Sequence, residues 1–149
     1  MAEPREKIEQ DMKAAMKAGE KEKVATLRLL LSAITNERIR AGAPVDEAGF
    51  LALVQKAIKQ RAESAEQYRN GGREELATKE EREAALLEAY LPAAVPEAEI
   101  RTAIEAFVAE KGLSGPAGIG PIMKEMLGRF AGRTDGGTIN RIARDVLAG

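Results

Sequence analysis

Apolar residues recur at helical spacing along most of the chain. In residues 5–18, REKIEQDMKAAMKA, Ile8, Met12, Ala15 and Met16 fall on one face, and Gly19 stops the helix. A second helix is predicted from Lys21 to Arg40, with Val24, Leu27, Leu31 and Ile34 facing a core before AGAP at 41–44 ends it. Asp46 is a good N-cap for a third helix that runs to Asn70, ahead of Gly71 and Gly72. A fourth spans Arg73 to Leu91 and is stopped by Pro92. Beyond PAAVP, PEAEIRTAIEAFVAEKG reads as a fifth helix with acidic residues in its first turn, and GLSGPAGIG reads as a loop. Two short helices, 119–130 and 136–147, close the chain. No alternating strand pattern is present. The expected fold is all-α: an N-terminal four-helix domain over residues 1–92, then a small three-helix domain over 93–149.

Composition agrees with this pattern and narrows the chemistry. Of the 149 residues 44% are apolar and 32% charged, with only 3% aromatic, which suits a soluble helical protein. Neither cysteine nor histidine is present, so the usual thiol nucleophile, general base and zinc ligands are missing. The expectation is no catalytic residue, no metal, no cofactor and no independent catalysis. No apolar run approaches the roughly 20 residues that span a bilayer, and the N-terminal MAEPREKIEQDMK lacks the apolar core of a signal peptide. A cytoplasmic protein without membrane contact is therefore expected.

Several polar residues fall on predicted apolar faces. Arg61 lies in line with Phe50, Val54, Ala57, Ser64, Ala65 and Tyr68, where an unpaired charge would be very costly. The fourth helix offers Glu80 and Glu83 in line with Leu76, Leu87 and Tyr90; the second offers Arg28, Ser32 and Asn36, with Glu37 beside them. A structural polar network of Arg28, Asn36, Glu37, Arg61, Glu80 and Glu83 is expected. The alternatives are a carboxylate site for acid/base or Mg²⁺ work, in which each acid has a cation within helical reach to neutralise it, and a partner-binding groove.

The charge is uneven. Net charge is −1 overall, but residues 1–111 hold 18 Lys+Arg against 21 Asp+Glu, whereas residues 112–149 hold 5 against 3. The basic excess centres on GRFAGRTDGGTINR, residues 128–141. Gly132 permits a left-handed turn, Asp135 caps the next helix, and Gly136 and Gly137 let another backbone approach its N-terminus. Lys124 and Arg129 lie off the apolar side of their helix, and Arg141 and Arg144 point outward together from theirs. A helix N-terminus ringed by Arg129, Arg133, Arg141 and Arg144 is a candidate phosphate seat. The same turn also reads as ordinary helix capping beside arginines on a solvated face. The glycines match neither a P-loop nor a dinucleotide fingerprint.

Four segments, LRLLLSAITNERI, QKAIKQRAESAEQYRNGGREELATKEEREAALLEAYLP, GIGPIMKEML and GRTDGGTINRIARDVL, make the chain resemble a stand-alone GatB/YqeY-domain protein over essentially its full length. The last two are similar to the tail domain of the B subunit of glutamine-dependent aspartyl/glutamyl-tRNA amidotransferase. Gly120, Met123 and Lys124 match that tail's Gly-x-x-Met-Lys; Gly132, Arg133, Asp135, Ile139 and Asn140 match its turn and the following Val/Ile-Asn. Pro121, Ala131 and Gly137 stand where relatives often place lysine, which implies weaker, less salt-sensitive binding. The resemblance implies a tRNA-binding accessory protein that grips backbone phosphates through Lys124, Arg129, Arg133, Arg141, Arg144 and the glycines. The alternatives are a helical adaptor for an amidotransferase or an aminoacyl-tRNA synthetase, and carbon-nitrogen ligase activity with glutamine as amido-N donor only within a larger amidotransferase.

Overall fold

The computed structural model describes residues 3–149, and within them the chain is all-helical. The elements are α1 (Pro4–Ala18), α2 (Lys21–Ala41), α3 (Glu47–Asn70), α4 (Glu74–Glu88), α5 (Glu97–Lys111), a one-turn 3-10 segment (Pro116–Gly118), α6 (Ile119–Arg129) and α7 (Gly136–Ala148). They fall into two compact units that divide between Leu91 and Pro92.

In the first unit α1 packs along α2 and α3 along α4, and α2 also meets α3 and α4. Pro4 opens α1, where its missing N–H costs nothing, and Gly19 closes it at φ 73°. Asp46 caps α3 by accepting from the Gly49 N–H at 2.7 Å. Ile8, Leu27, Leu30, Ile34, Phe50, Val54 and Leu87 form the interior. The buried face of α2 is turned slightly from the expected stripe: it hides Thr26, Leu27, Leu30 and Ile34, while Val24 and Leu31 are half-buried. Met16, expected inside, is exposed.

Helix α4 ends at Glu88, three residues before the expected stop. The residue before a proline is pushed away from helical backbone, and the chain tightens into i→i−3 bonds from Tyr90 to Leu87 and from Leu91 to Glu88, each 3.0 Å. This turn delivers Tyr90 inward. Its hydroxyl donates to Asp11 Oδ2 at 2.5 Å, its ring meets Phe50 edge-on at 6.2 Å, and Lys7 Nζ lies 5.6 Å from the ring centre. One side chain thereby ties the end of α4 to α1 and α3. Burial first, and the Asp11 hydrogen bond second, hold the Tyr90 phenol well above the ordinary tyrosine range.

Of the expected polar network, Arg61, Glu80 and Glu83 come together between α3 and α4. Arg61 Nε lies 3.3 Å from Glu83 Oε2, with the two side chains only 12% and 16% exposed, and an Arg61 Nη donates to the Ala57 carbonyl at 3.1 Å. Burial and the neighbouring Glu83 charge raise the Glu80 carboxyl above its usual range, against the pull of Arg61. Helix α2 stays outside the cluster. Arg28 and Asn36 are exposed, and Glu37 pairs within its own helix with Arg40. The observed α2 stripe leaves Arg28 and Asn36 in solvent, while Glu37, held by Arg40 and also feeling Lys56 of α3, lies apart from the Arg61 cluster.

In the second unit α5, α6 and α7 pack pairwise around Val95, Ile100, Ile104, Phe107, Ile122, Met126, Phe130, Ile139, Ile142 and Ala143. Each fully buried Ile contributes about 1.5–3 kcal/mol relative to exposure. The stretch expected as loop contains the 3-10 turn, whose Gly118 is buried. A Cβ built there would lie 3.1 Å from Leu147 Cδ2, so a side chain at this position would have to displace Leu147 by a few tenths of an ångström. Leu127, next to the buried Met126, is 46% exposed.

Candidate nucleic-acid interface

The segment from Phe130 to Asp135 joins α6 to α7. Gly132 sits at φ 74°, a left-handed conformation that costs a side-chain-bearing residue about 1–2 kcal/mol, and it is buried. Asp135 then caps α7: its Oδ1 accepts from the Thr138 N–H at 2.7 Å and its carbonyl from the Ile139 N–H at 3.3 Å. The N–H groups of Gly136 and Gly137 remain as the open donors of that helix end.

Gly136 and Gly137 do not receive another backbone, contrary to expectation. A Cβ at Gly136 would meet only Met123 Cε at 3.7 Å and Leu127 Cδ2 at 3.8 Å, which is ordinary contact. A Cβ at Gly137 would lie 3.5 Å from Asp135 Oδ1. What approaches the helix end is thus the side-chain face of α6, and Asn140 Nδ2 lies 4.0 Å from Met123 Sδ one turn further along.

The four arginines do not form one ring. Arg133 is occupied within the turn, its Nε donating to the Ala93 carbonyl at 3.0 Å and its own carbonyl accepting from the Val95 N–H at 2.9 Å. Arg129 pairs with Glu125 at 3.0 Å. That pair lies two residues beyond Met123 and Leu127, roughly 160° around the helix from the side that meets α7. Arg141 pairs with Glu97 at the start of α5, and the neighbouring Asp145 takes Arg101 at 2.5 Å. Sequence reasoning read Glu97 only as a favourable first-turn acid, because its link to Arg141 exists only after α5 and α7 have packed.

Arg144 and Lys124 are different. Both are exposed, and neither joins an ion pair among the described residues. On α7, Arg144 stands two turns beyond Gly137 on the same line, between Asn140 and Arg141. On α6, Lys124 follows Met123 on the edge that meets the Gly136 end. Gly137, Arg141 and Arg144 share one side of α7, and Lys124 follows the Met123 that packs at Gly136, whereas Arg129 and Arg133 are engaged by Glu125 and the Ala93 carbonyl. Among the described residues no group of three acidic side chains stands ready for a metal ion, and no helix is long and apolar enough to cross a membrane.

Comparison with known proteins follows the same outline. The family model described as Yqey-like protein matches residues 5–147. Relatives called altered inheritance of mitochondria protein 41, mitochondrial, include one from Vanderwaltozyma polyspora, 39% identical over 68% of this chain and 56% of its own length. Another, from Eremothecium gossypii, is 36% identical over 69% of this chain and 58% of its own. A third, from Pyrenophora tritici-repentis, is 30% identical over 85% of this chain and 71% of its own. The chain therefore spans little more than half the length of the first two. These names overturn the cytoplasmic expectation, since the relatives are mitochondrial proteins. That expectation rested on the lack of apolar segments, whereas mitochondrial targeting segments are amphipathic and escape such a test. The match across almost the whole chain is decisive for descent: the chain belongs to the Yqey-like protein family.

Proposed function

We propose that the second unit binds tRNA through backbone phosphates, with Lys124 and Arg144 as the principal cations and the Gly136 and Gly137 N–H groups as neutral donors. The observation that carries this reading is that Lys124 and Arg144 are exposed and join no ion pair among the described residues, with Arg144 two turns along the helix whose N-terminus presents the Gly136 and Gly137 N–H groups. A helix end of this kind favours an anion by its dipole and its unpaired N–H groups. Arg141 adds a third cation, because an exposed pair such as Arg141–Glu97 contributes roughly 0–1 kcal/mol and yields readily to a phosphate.

Two or three phosphate contacts make weak, sequence-tolerant binding, suited to an accessory protein that works beside an amidotransferase or an aminoacyl-tRNA synthetase. The resemblance to the amidotransferase tail domain is what selects tRNA among polyanions. The test is retardation of tRNA at low salt by the intact protein and by Lys124→Glu/Arg144→Glu. Binding that disappears in the double variant supports the reading. An unretarded tRNA with wild-type protein refutes it and leaves the helical adaptor.

A further inference from the structure

The second unit carries an anion against its own basic face, and the fold fixes its place. Glu97 is the first residue of α5, entered through Pro96 with extended backbone. Just upstream, the Val95 N–H donates to the Arg133 carbonyl at 2.9 Å, and the Ala93 carbonyl accepts from Arg133 Nε at 3.0 Å. The Val95 side chain is buried. The basic turn thus anchors the chain two residues before Glu97, whose carboxylate pairs with Arg141 of α7.

Asp145 stands one turn further along α7 but is taken by Arg101 at 2.5 Å, which leaves Arg141 to Glu97. The two side chains are 61% and 59% exposed, so a phosphate can reach Arg141 while Glu97 holds it. The carboxylate offers Arg141 a negative charge and paired acceptor oxygens, as a backbone phosphate does. Because it is tethered, it competes at a fixed effective concentration rather than one set by dilution.

We infer that Glu97 is a positioning residue that limits phosphate affinity, a role that rests on the phosphate site proposed above: it holds Arg141 as an internal substitute for phosphate. With Glu97 in place, tRNA binds through Lys124 and Arg144 and engages Arg141 only in part. Without it, all three cations are engaged. Glu97 also recaptures Arg141 as a phosphate leaves, which favours quick release.

The experiment measures tRNA retardation by wild type, Glu97→Gln and Glu99→Gln from about 50 to 200 mM salt. Glu99 is exposed, joins no ion pair among the described residues and lies about 200° around α5 from Glu97. Its loss changes net charge equally but leaves the Arg141 pair intact. Glu97→Gln is expected to bind roughly 2- to 5-fold more tightly, the strength of one exposed ion pair. Its log–log salt slope steepens from about −2 toward about −3, which a merely structural role for Glu97 would not produce. Glu99→Gln leaves the slope as in wild type, and Arg141→Gln added to Glu97→Gln returns it to about −2. If wild type binds, a Glu97→Gln protein with no gain, a gain equal in Glu99→Gln, or a gain that survives Arg141→Gln overturns the role of Glu97 alone. Absence of retardation by both wild type and Glu97→Gln overturns this role and the phosphate site together.

Discussion

Arg133 is bonded to the residues that lead into α5: its Nε donates to the Ala93 carbonyl at 3.0 Å, and its carbonyl accepts from the Val95 N–H at 2.9 Å. Val95 itself is buried in the core of the second unit. The most prominent arginine of the basic turn thus holds the turn to the incoming chain. Arg133→Met is expected to lower stability by about 0.5–1.5 kcal/mol in urea denaturation, the value of one such bond. It is expected to reduce tRNA affinity less than Lys124→Glu does. The reverse order of affinities would restore Arg133 to the binding surface.

The glycines of the turn separate in the same way. Gly132 needs its left-handed backbone, so Gly132→Ala is predicted to destabilise by about 1–2 kcal/mol. Gly137 has helical backbone and ordinary surroundings, so Gly137→Ala should be neutral or raise stability by up to about 1 kcal/mol. Thermal melts of the two variants check both signs. Equal losses would mean that the α7 end is more crowded than its distances imply.

Tyr90 joins Asp11, Phe50 and Lys7. Tyr90→Phe should cost roughly 1–2 kcal/mol at neutral pH through the lost bond to Asp11. The phenol is raised above its ordinary 10.0 in the folded protein, so its contribution is fully present below that pH and fades as pH rises through the higher folded value. Wild-type stability should accordingly fall above about pH 10, with a smaller fall in Tyr90→Phe. Chemical denaturation at pH 7, 9 and 11 measures the difference.

Glu80 has the same sign, again with burial as the first cause. Its carboxyl is raised by burial and by Glu83, so its protonated form is favoured in the fold. That contribution is present below the unfolded value near 4.5 and is lost as pH rises through the folded one. Glu80→Gln should therefore be more stable than wild type at pH 7 and lose that advantage below about pH 4. A destabilised Glu80→Gln at pH 7 would show instead that the carboxylate is needed by Arg61.

Most of the fold was legible in the sequence because helix starts and stops are local events. Gly19, Asp46 and Asp135 act within a few residues of themselves, and each closes or caps the predicted helix. Where the reading slipped, tertiary packing decided. The α2 stripe turned to hide Thr26 and Leu30, which left Arg28 and Asn36 in solvent; α4 ended early so that Tyr90 could reach Asp11. The cations proposed to bind phosphate are recognisable in sequence by type and position, but not by whether an ion pair occupies them. Arg129, Arg133 and Arg141 look alike in sequence to Arg144, and only the positions of Glu125, Ala93 and Glu97 distinguish them.

The central claim is that Lys124 and Arg144 neutralise tRNA phosphates, and the salt dependence of tRNA affinity tests it most directly. Wild-type protein should bind at about 50 mM salt and weaken with log–log slope of about −2, close to one unit per phosphate contact. In Lys124→Glu/Arg144→Glu, with unchanged helical circular dichroism, binding should be lost at that salt, and any residual binding at lower salt should have a slope no steeper than about −1, the share of Arg141. A slope that stays at the wild-type value in the double variant, or an absence of wild-type binding at that salt, would contradict the account.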